Sequence, residues 1–348
     1  MLQKHKLSTT MPFELEKLLA VNADLETEQS LSRQDLLARG IIRESLEPVH
    51  RVGITEGPKQ SLPFSRLVLP FAFTGVLEPS KAVTDIHQAI HILLPGAGST
   101  FSVAETLCDV AGTFHGRKSK NRGRARQSDK IESEAGLPSD DFFRAASFPM
   151  DLPLTGMGVN APFEFAGCEG LVAVIRHVHL VLSHLYPDRP VFLSGRSQGG
   201  IASLIYAQSY DDVAGVVAVN PPHPDPELFQ FTIDFMESKA DDLANLLHAP
   251  GVSLASDSWE AYKSFTPGLN YPDRKLLSPA LVLVSLGDPF NLFPRYTEML
   301  QVFADQDSLC RLKVFDAGHN LWDRRITDTY HSVIGLQTSF MVNQAEAA

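Results

Sequence analysis

Apolar runs of about six residues recur along the chain, each closed by a glycine or proline turn and most followed by a stretch of helical periodicity. Ala89-Ile90-His91-Ile92-Leu93-Leu94 runs into Pro95-Gly96-Ala97-Gly98-Ser99, and an amphipathic pattern follows over 100–114. Residues 145–151 and Leu152-Pro153-Leu154-Thr155 lead to Gly156-Met157-Gly158, and a long apolar helix is predicted over 165–186. Val191-Phe192-Leu193 leads through Ser194-Gly195-Arg196-Ser197-Gln198-Gly199 into a helical run over 200–208. Later runs at 214–219, 280–285 and 312–315 end at Asn220-Pro221-Pro222, Gly287-Asp288-Pro289 and Gly318-His319-Asn320, with helices predicted over 294–303 and 328–342. Strands that alternate with helices imply right-handed crossovers and a largely parallel sheet, with ligands at the carboxyl ends of its strands.

The remaining segments read differently. Over 12–40 two helical patterns occur: Phe13, Leu15, Leu18 and Leu19 after Pro12, then Ser32 before Asp35, Leu36 and Leu37, stopping at Gly40. They suit a helical extension, 1–48, packed on the main domain, 49–348; a partner-binding helix is the alternative. Two β-rich stretches, 49–55 and 66–73, flank Gly57-Pro58, and Pro70 confines the second to an edge because proline donates nothing to a ladder. Residues 116–141 are polar and without periodicity, a loop insertion. Residues 223–279 carry helical patterns at 227–247 and many aromatic residues, among them Phe229, Phe235 and Trp259. They form either a cap over an acyl pocket or a second small core. Their place after the 214–219 strand, at the active-site edge, favours the cap, with Phe229 and Phe235 as substrate-binding residues.

Composition narrows the class. The 348 residues are 44% hydrophobic and 20% charged, as in ordinary globular proteins. A net charge of −11 argues against nucleic acid as a partner. The three cysteines, Cys108, Cys168 and Cys310, are scattered and show no C-x-x-C spacing, which suits a reducing compartment and offers no metal site. With no secretory signal at residues 1–10 and no run approaching 18 apolar residues, a cytoplasmic protein without a membrane span is expected.

The stretch with the sharpest chemistry is Gly195-x-Ser197-x-Gly199. A serine on so tight a strand-to-helix turn takes a strained backbone conformation, and flanking glycines remove the Cβ atoms that would clash. The hydroxyl is then lifted clear of the sheet. The other turns exclude rivals: 95–99 lacks the third glycine of G-x-G-x-x-G and the Gly-Lys-Ser/Thr of a Walker loop. His177 and His179 lie on an apolar helix and read as satisfied histidines, not metal ligands.

At this point the chain resembles an α/β-hydrolase over roughly 49–342. Leu93-Leu94-Pro95-Gly96-Ala97-Gly98 resembles the family's oxyanion loop, and Asp151 to Gly158 its D-x-x-G-x-G turn. The elbow resembles the serine turn, Gly287-Asp288 the acid turn and Ala317-Gly318-His319-Asn320 the histidine turn, in the family's order. The fold expected is a mostly parallel central sheet flanked by helices, with a helical cap insertion and the N-terminal helical extension. The resemblance implies Ser197 as nucleophile, His319 as general base and acid, and Asp288 as the group that orients the imidazole. It implies oxyanion donors at the backbone N–H groups of Gln198 and Ala97. Asp225 and Asp316 are the rival acids.

Two departures stand out. Pro95 replaces the histidine common in the family, and Arg196 puts a cation beside the nucleophile. Arg196 suits either binding of an anionic acyl group or a salt bridge to a loop carboxylate. The expected activity is hydrolysis of a small-molecule carboxylic ester or thioester, with no cofactor and no metal. An acyltransferase on the same triad and a non-enzymatic binding module are the alternatives. Finally, Arg117, Lys118, Lys120, Arg122, Arg124 and Arg126 place six cations in the 116–141 insertion. The helix after the 96–98 turn runs away from the carboxyl edge, so these cations are expected far from the catalytic groups, as solvated loop or as a contact with an anionic membrane or partner.

Overall fold

The computed structural model describes residues 15–45, 66–68, 83, 88–94, 145–149, 167–221, 230, 234–235, 237–238, 275–288, 301, 305, 309–318 and 327–347. Six strands form one parallel sheet: β3 (Ala89–Leu94), β4 (Ala145–Pro149), β5 (Val191–Arg196), β6 (Gly215–Val219), β7 (Ala280–Ser285) and β8 (Cys310–Phe315), in the order β4-β3-β5-β6-β7-β8. A separate antiparallel pair joins β1 (Arg43–Ser45) to β2 (Arg66–Val68). The sheet follows the apolar runs of the sequence, but β5 continues three residues beyond Val191-Phe192-Leu193, through Ser194, Gly195 and Arg196, and β8 begins two residues earlier than its apolar pattern.

Both faces are covered, and the period-2 alternation of the strands sorts their side chains between them. Ile90, Ile92, Leu94, Val191, Leu193, Val216, Ala218, Val282 and Val284 share a core with α3 (Gly167–Leu185) and α4 (Gln198–Ser209). Ala89, Phe192, Val217, Val219, Leu281 and Leu283 face α5 (Thr327–Ala345), against Val333, Phe340 and Met341. Strands buried on both faces are mostly apolar, which is why they stood out as runs; His91, Ser194, Arg196 and Ser285 are buried polar exceptions.

The N-terminal extension docks on α3. In α1 (Leu15–Thr27) the buried positions Leu18, Asn22 and Leu25 form one stripe at helical spacing, and each leucine contributes roughly 1.5–3 kcal/mol by burial. α2 (Arg33–Ala38) starts on a capping box between Ser32 and Asp35 and ends at Gly40, whose φ of 69° lets Ile41 and Gly40 bond back to Leu36 and Leu37. The polar groups in this interface are paired: Asn22 donates to the Ala173 carbonyl at 2.9 Å and accepts from His177 Nδ1 at 2.9 Å. Arg176 donates to Glu26 at 2.6 Å and to Asp212 and Tyr206, and the Tyr206 hydroxyl shares a 2.6 Å hydrogen bond with His179 Nδ1. His177 and His179 are therefore buried core histidines, each hydrogen-bonded through Nδ1.

Burial has a consequence for pH. Desolvation lowers the His177 pKa from 6.5 to about 4, so the unfolded chain takes up a proton that the folded chain refuses. The sign follows: this contribution is complete above about pH 6.5 and is lost as pH falls toward 4, on the order of 3 kcal/mol in all. Tm is expected to drop across that window, and His177→Gln, which retains a donor for Asn22, to lessen the drop. Parallel Tm-versus-pH curves for the two proteins would show that His177 is not the titrating group.

Candidate active site

Strand order reverses between β3 and β5, and in sheets of this kind ligands bind at the carboxyl edge beside such a reversal. Leu94, the last residue of β3, lies in register with Gly195 of β5. The elbow sits at that reversal point. β5 ends at Arg196, α4 begins at Gln198, and the single residue between them, Ser197, has φ 51° and ψ −119°. A non-glycine residue in that region stores strain on the order of 1–3 kcal/mol and persists only where its surroundings over-determine it. Here they do: the Ser197 N–H donates to the Val219 carbonyl at 2.8 Å, and the Ser197 carbonyl receives the Ile201 N–H at 3.0 Å. The Ser197 hydroxyl makes no cap bond to α4. Ser197 is half-buried, and the first N–H groups of α4, starting at Gln198, lie beside it at the positive end of the helix.

Gly195 explains why the turn can be this tight. A Cβ there would lie 2.0 Å from the Gly199 carbonyl oxygen and 2.7 Å from the Gly200 nitrogen.

The acid turn leaves β7 two strands away on the same edge. Leu286 N–H donates to the Phe315 carbonyl at 2.8 Å and Gly287 N–H to the Ala317 carbonyl at 2.9 Å. The turn carrying Asp288 is thereby tied to the turn after β8. Gly287 permits the approach, since a Cβ at that position would come within 2.9 Å of the Ala317 oxygen. Asp288 is buried, 3% exposed, whereas Asp316 is exposed.

Arg196, the last residue of β5, is buried on the α5 face of the sheet. Burial pulls its guanidinium below the ordinary arginine value, and the charge of Asp288 acts in the opposite direction. Asp288 is thus a carboxylate whose charge reaches the buried Arg196 next to Ser197. Beneath it on the same face, Ser194 shares a 2.6 Å hydrogen bond with His91 Nε2 and accepts one from Gln337 at 3.0 Å. These buried polar groups join β3, β5 and α5 directly under the elbow.

The structure brings Ser197, the start of α4 at Gln198, Arg196 and Asp288 to one edge of the sheet. Phe235 is partly buried and packs against the core on the α3 and α4 side. His319, Ala97, Phe229 and Asp225 lie outside the described residues, as do the 116–141 insertion with its six cations and most of the 223–279 segment. Among the described residues no group of three His, Cys, Asp or Glu could hold a metal ion, and no helix is long and apolar enough to cross a membrane. One residue escaped sequence reasoning. Asn220, at φ 44°, bonds through its side chain to Ser285 at the root of the acid turn. Its only signal in the sequence is an asparagine before two prolines at a strand end, which marks a turn and no more.

No family model matches the sequence, and no curated protein matches it. Solved structures do. A carboxylesterase of the ammonia-oxidizing thaumarchaeon Nitrososphaera gargenis superposes with a TM-score of 0.50 at 12% identity, over 80% of this chain and 99% of its own. An α/β-hydrolase from Penicillium sp. sh18 gives 0.48 at 15% identity over 81% and 98%. A monoacylglycerol lipase of Paleococcus ferrophilus gives 0.43 at 17% over 76% and 99%. At 12% identity the likeness to the Nitrososphaera gargenis carboxylesterase speaks to architecture alone, and with the six-stranded parallel sheet of the described residues, its order reversal and its strand-to-helix elbow it leads to one conclusion: the chain has the α/β-hydrolase fold.

Proposed function

We propose that the protein is a serine hydrolase that cleaves a small-molecule carboxylic ester or thioester through an acyl-enzyme. The observation that carries this reading is Ser197, held at φ 51° on the elbow between β5 and α4, at the reversal point of the sheet. Serine is a weak nucleophile at neutral pH and needs a base to accept its proton as it attacks. His319 takes that role and later protonates the leaving group, while Asp288 fixes the imidazole tautomer and stabilises its cation. Ser197 and Asp288 stand two strands apart on one edge, roughly 10 Å, a gap suited to an interposed imidazole. The Ala317 carbonyl that receives the Gly287 N–H lies two residues before His319 in the sequence, which supports the assignment. The developing oxyanion is met by the Gln198 N–H at the start of α4 and by the Ala97 N–H in the turn that leaves β3 beside Gly195.

The burial of Asp288 favours it over Asp316, because a carboxylate that orients an imidazole works best shielded from water. Phe229 and Phe235 are assigned to the acyl pocket and Arg196 to its polar end. A screen of p-nitrophenyl esters of increasing chain length, with one ω-carboxylate ester and with and without acceptor alcohols, tests these assignments together. Turnover sensitive to Ser197→Ala, with a chain-length preference altered by Phe235→Ala, is the expected result. Equal effects of Phe235→Ala on every ester would make that ring part of a core. Transfer to the alcohol in place of water would make the protein an acyltransferase, and no turnover of any ester would count against the reading.

A further inference from the structure

β6 leaves the sheet before β7 does, and this poses a problem for the acid turn. In a parallel ladder the Asn220 N–H bonds to the Leu283 carbonyl, as it does here at 2.8 Å, and the next rung would run from the Ser285 N–H to the Asn220 backbone carbonyl. Instead the backbone of Asn220 turns away at φ 44° toward Pro221. The Ser285 N–H would then be a buried donor without its ladder acceptor, which costs on the scale of a lost hydrogen bond. The Asn220 side chain fills the place. Its Oδ1 accepts from the Ser285 N–H at 2.8 Å, and its Nδ2 donates to Ser285 Oγ at 3.1 Å. Asn220 and Ser285 are both fully buried.

The consequence lies three residues on. Ser285 is the last residue of β7 and its carbonyl receives the Asp288 N–H at 3.4 Å. The residue before Asn220, Val219, gives its carbonyl to the Ser197 N–H. A continuous set of hydrogen bonds therefore runs across the carboxyl edge from Ser197 through Val219 and Asn220 to Ser285 and Asp288, and on from Gly287 to Ala317. Every link in it is backbone to backbone except the one made by the Asn220 amide. Backbone strain at a non-glycine residue points the same way, since it survives only where surrounding contacts fix it.

We propose that Asn220 is a positioning residue for Asp288: its side-chain amide replaces the rung that β6 leaves out and keeps the acid turn in register with the serine elbow. The proposal rests on the Ser197, His319 and Asp288 reading given above. Loss of the amide leaves the nucleophile and the substrate pocket in place and lets the acid drift from the imidazole, so it acts on turnover and on the pH profile more than on KM.

Asn220→Gly is the direct test, because glycine tolerates the positive φ and removes only the amide. Active sites are counted with a fluorophosphonate, and hydrolysis of p-nitrophenyl butyrate is followed from pH 5 to 9. Turnover per labelled site should fall ~10²-fold, the scale of a misplacement of about 1 Å, with KM within about threefold. The acid limb of kcat/KM should move to lower pH, because an imidazolium separated from its carboxylate gives up its proton more readily. Asn220→Asp keeps an oxygen for the Ser285 N–H and can accept the Ser285 hydroxyl proton with the other, so it should return turnover to within about tenfold of wild type. Wild-type turnover per site and an unmoved limb in Asn220→Gly would overturn the proposal. If Asn220→Gly does not fold, Asn220→Asp decides: a rate loss of 10²-fold or more in a protein of normal Tm would overturn it as well. Absence of label on Ser197 in wild-type protein overturns the triad, and the role of Asn220 with it; label with unchanged Asn220→Gly kinetics overturns only the latter.

Discussion

Gly195→Ala is expected to destroy the elbow and with it any reaction at Ser197. The added methyl would lie 2.0 Å from the Gly199 oxygen and 2.1 Å from its carbon. Both are backbone atoms in the first turn of α4, so no side-chain rotation relieves the overlap. Either the helix shifts away from β5 or the strand end bends, and the Ser197 N–H bond to Val219 is lost in both cases. Inserting a methyl into a core where side chains can adjust costs about 1–3 kcal/mol. The cost here lies at or beyond the upper end of that range. Since 1 kcal/mol shifts Tm by roughly 2–4 °C in a domain of 150–250 residues, a fall of about 6 °C or more is expected, together with a loss of fluorophosphonate labelling of ~10²-fold or greater. Unchanged Tm and labelling would mean that the turn is looser than its geometry implies.

Asp288→Asn should cost turnover about 10⁴-fold, the scale found when the acid of a triad is replaced and the imidazole adopts the wrong tautomer. A second effect is specific to this chain. The substitution removes a negative charge that opposes the buried Arg196 cation, and a buried charge that loses compensation is destabilising. A lower Tm should therefore accompany the loss of rate. Asp316→Asn, at an exposed position, should change neither by much. If Asp225→Asn is the crippling change and Asp288→Asn is mild, the acid is misassigned.

Much of this architecture was legible because burial on both faces makes strands mostly apolar. β6 and β7 appear in the sequence as apolar runs and β3 as a run broken only by His91, while β5 shows only Val191-Phe192-Leu193 before Ser194, Gly195 and Arg196. β8 was legible only in part, since it alternates toward exposed positions from Cys310 to Phe315. β1, with the sequence Arg-Glu-Ser, carries no apolar signal at all and exists through its pairing with β2. The ends of α2 were readable from Ser32 and Gly40, which are local capping chemistry. The elbow was readable for the same reason, because its geometry depends on residues four positions apart. Asn220 was not, and for Arg196 the sequence offered a loop carboxylate without saying which. Their partners, Ser285 and Asp288, lie 65 and 92 positions further along the chain, and what brings them together is the order of strands in the sheet. The same holds for Asn22 of α1 and His177 of α3, each of which is the other's hydrogen-bond partner only after the extension docks.

The central claim is that Ser197 is an activated nucleophile. It is tested most directly by incubating the protein with a fluorophosphonate at neutral pH and mapping the adduct by peptide mass spectrometry, with Ser197→Ala alongside. The account predicts a single adduct per chain on the peptide containing Ser197, and none on the variant, whose Tm stays within a few degrees of wild type. An adduct that persists in the variant, or a folded wild-type protein that takes no label, would contradict it.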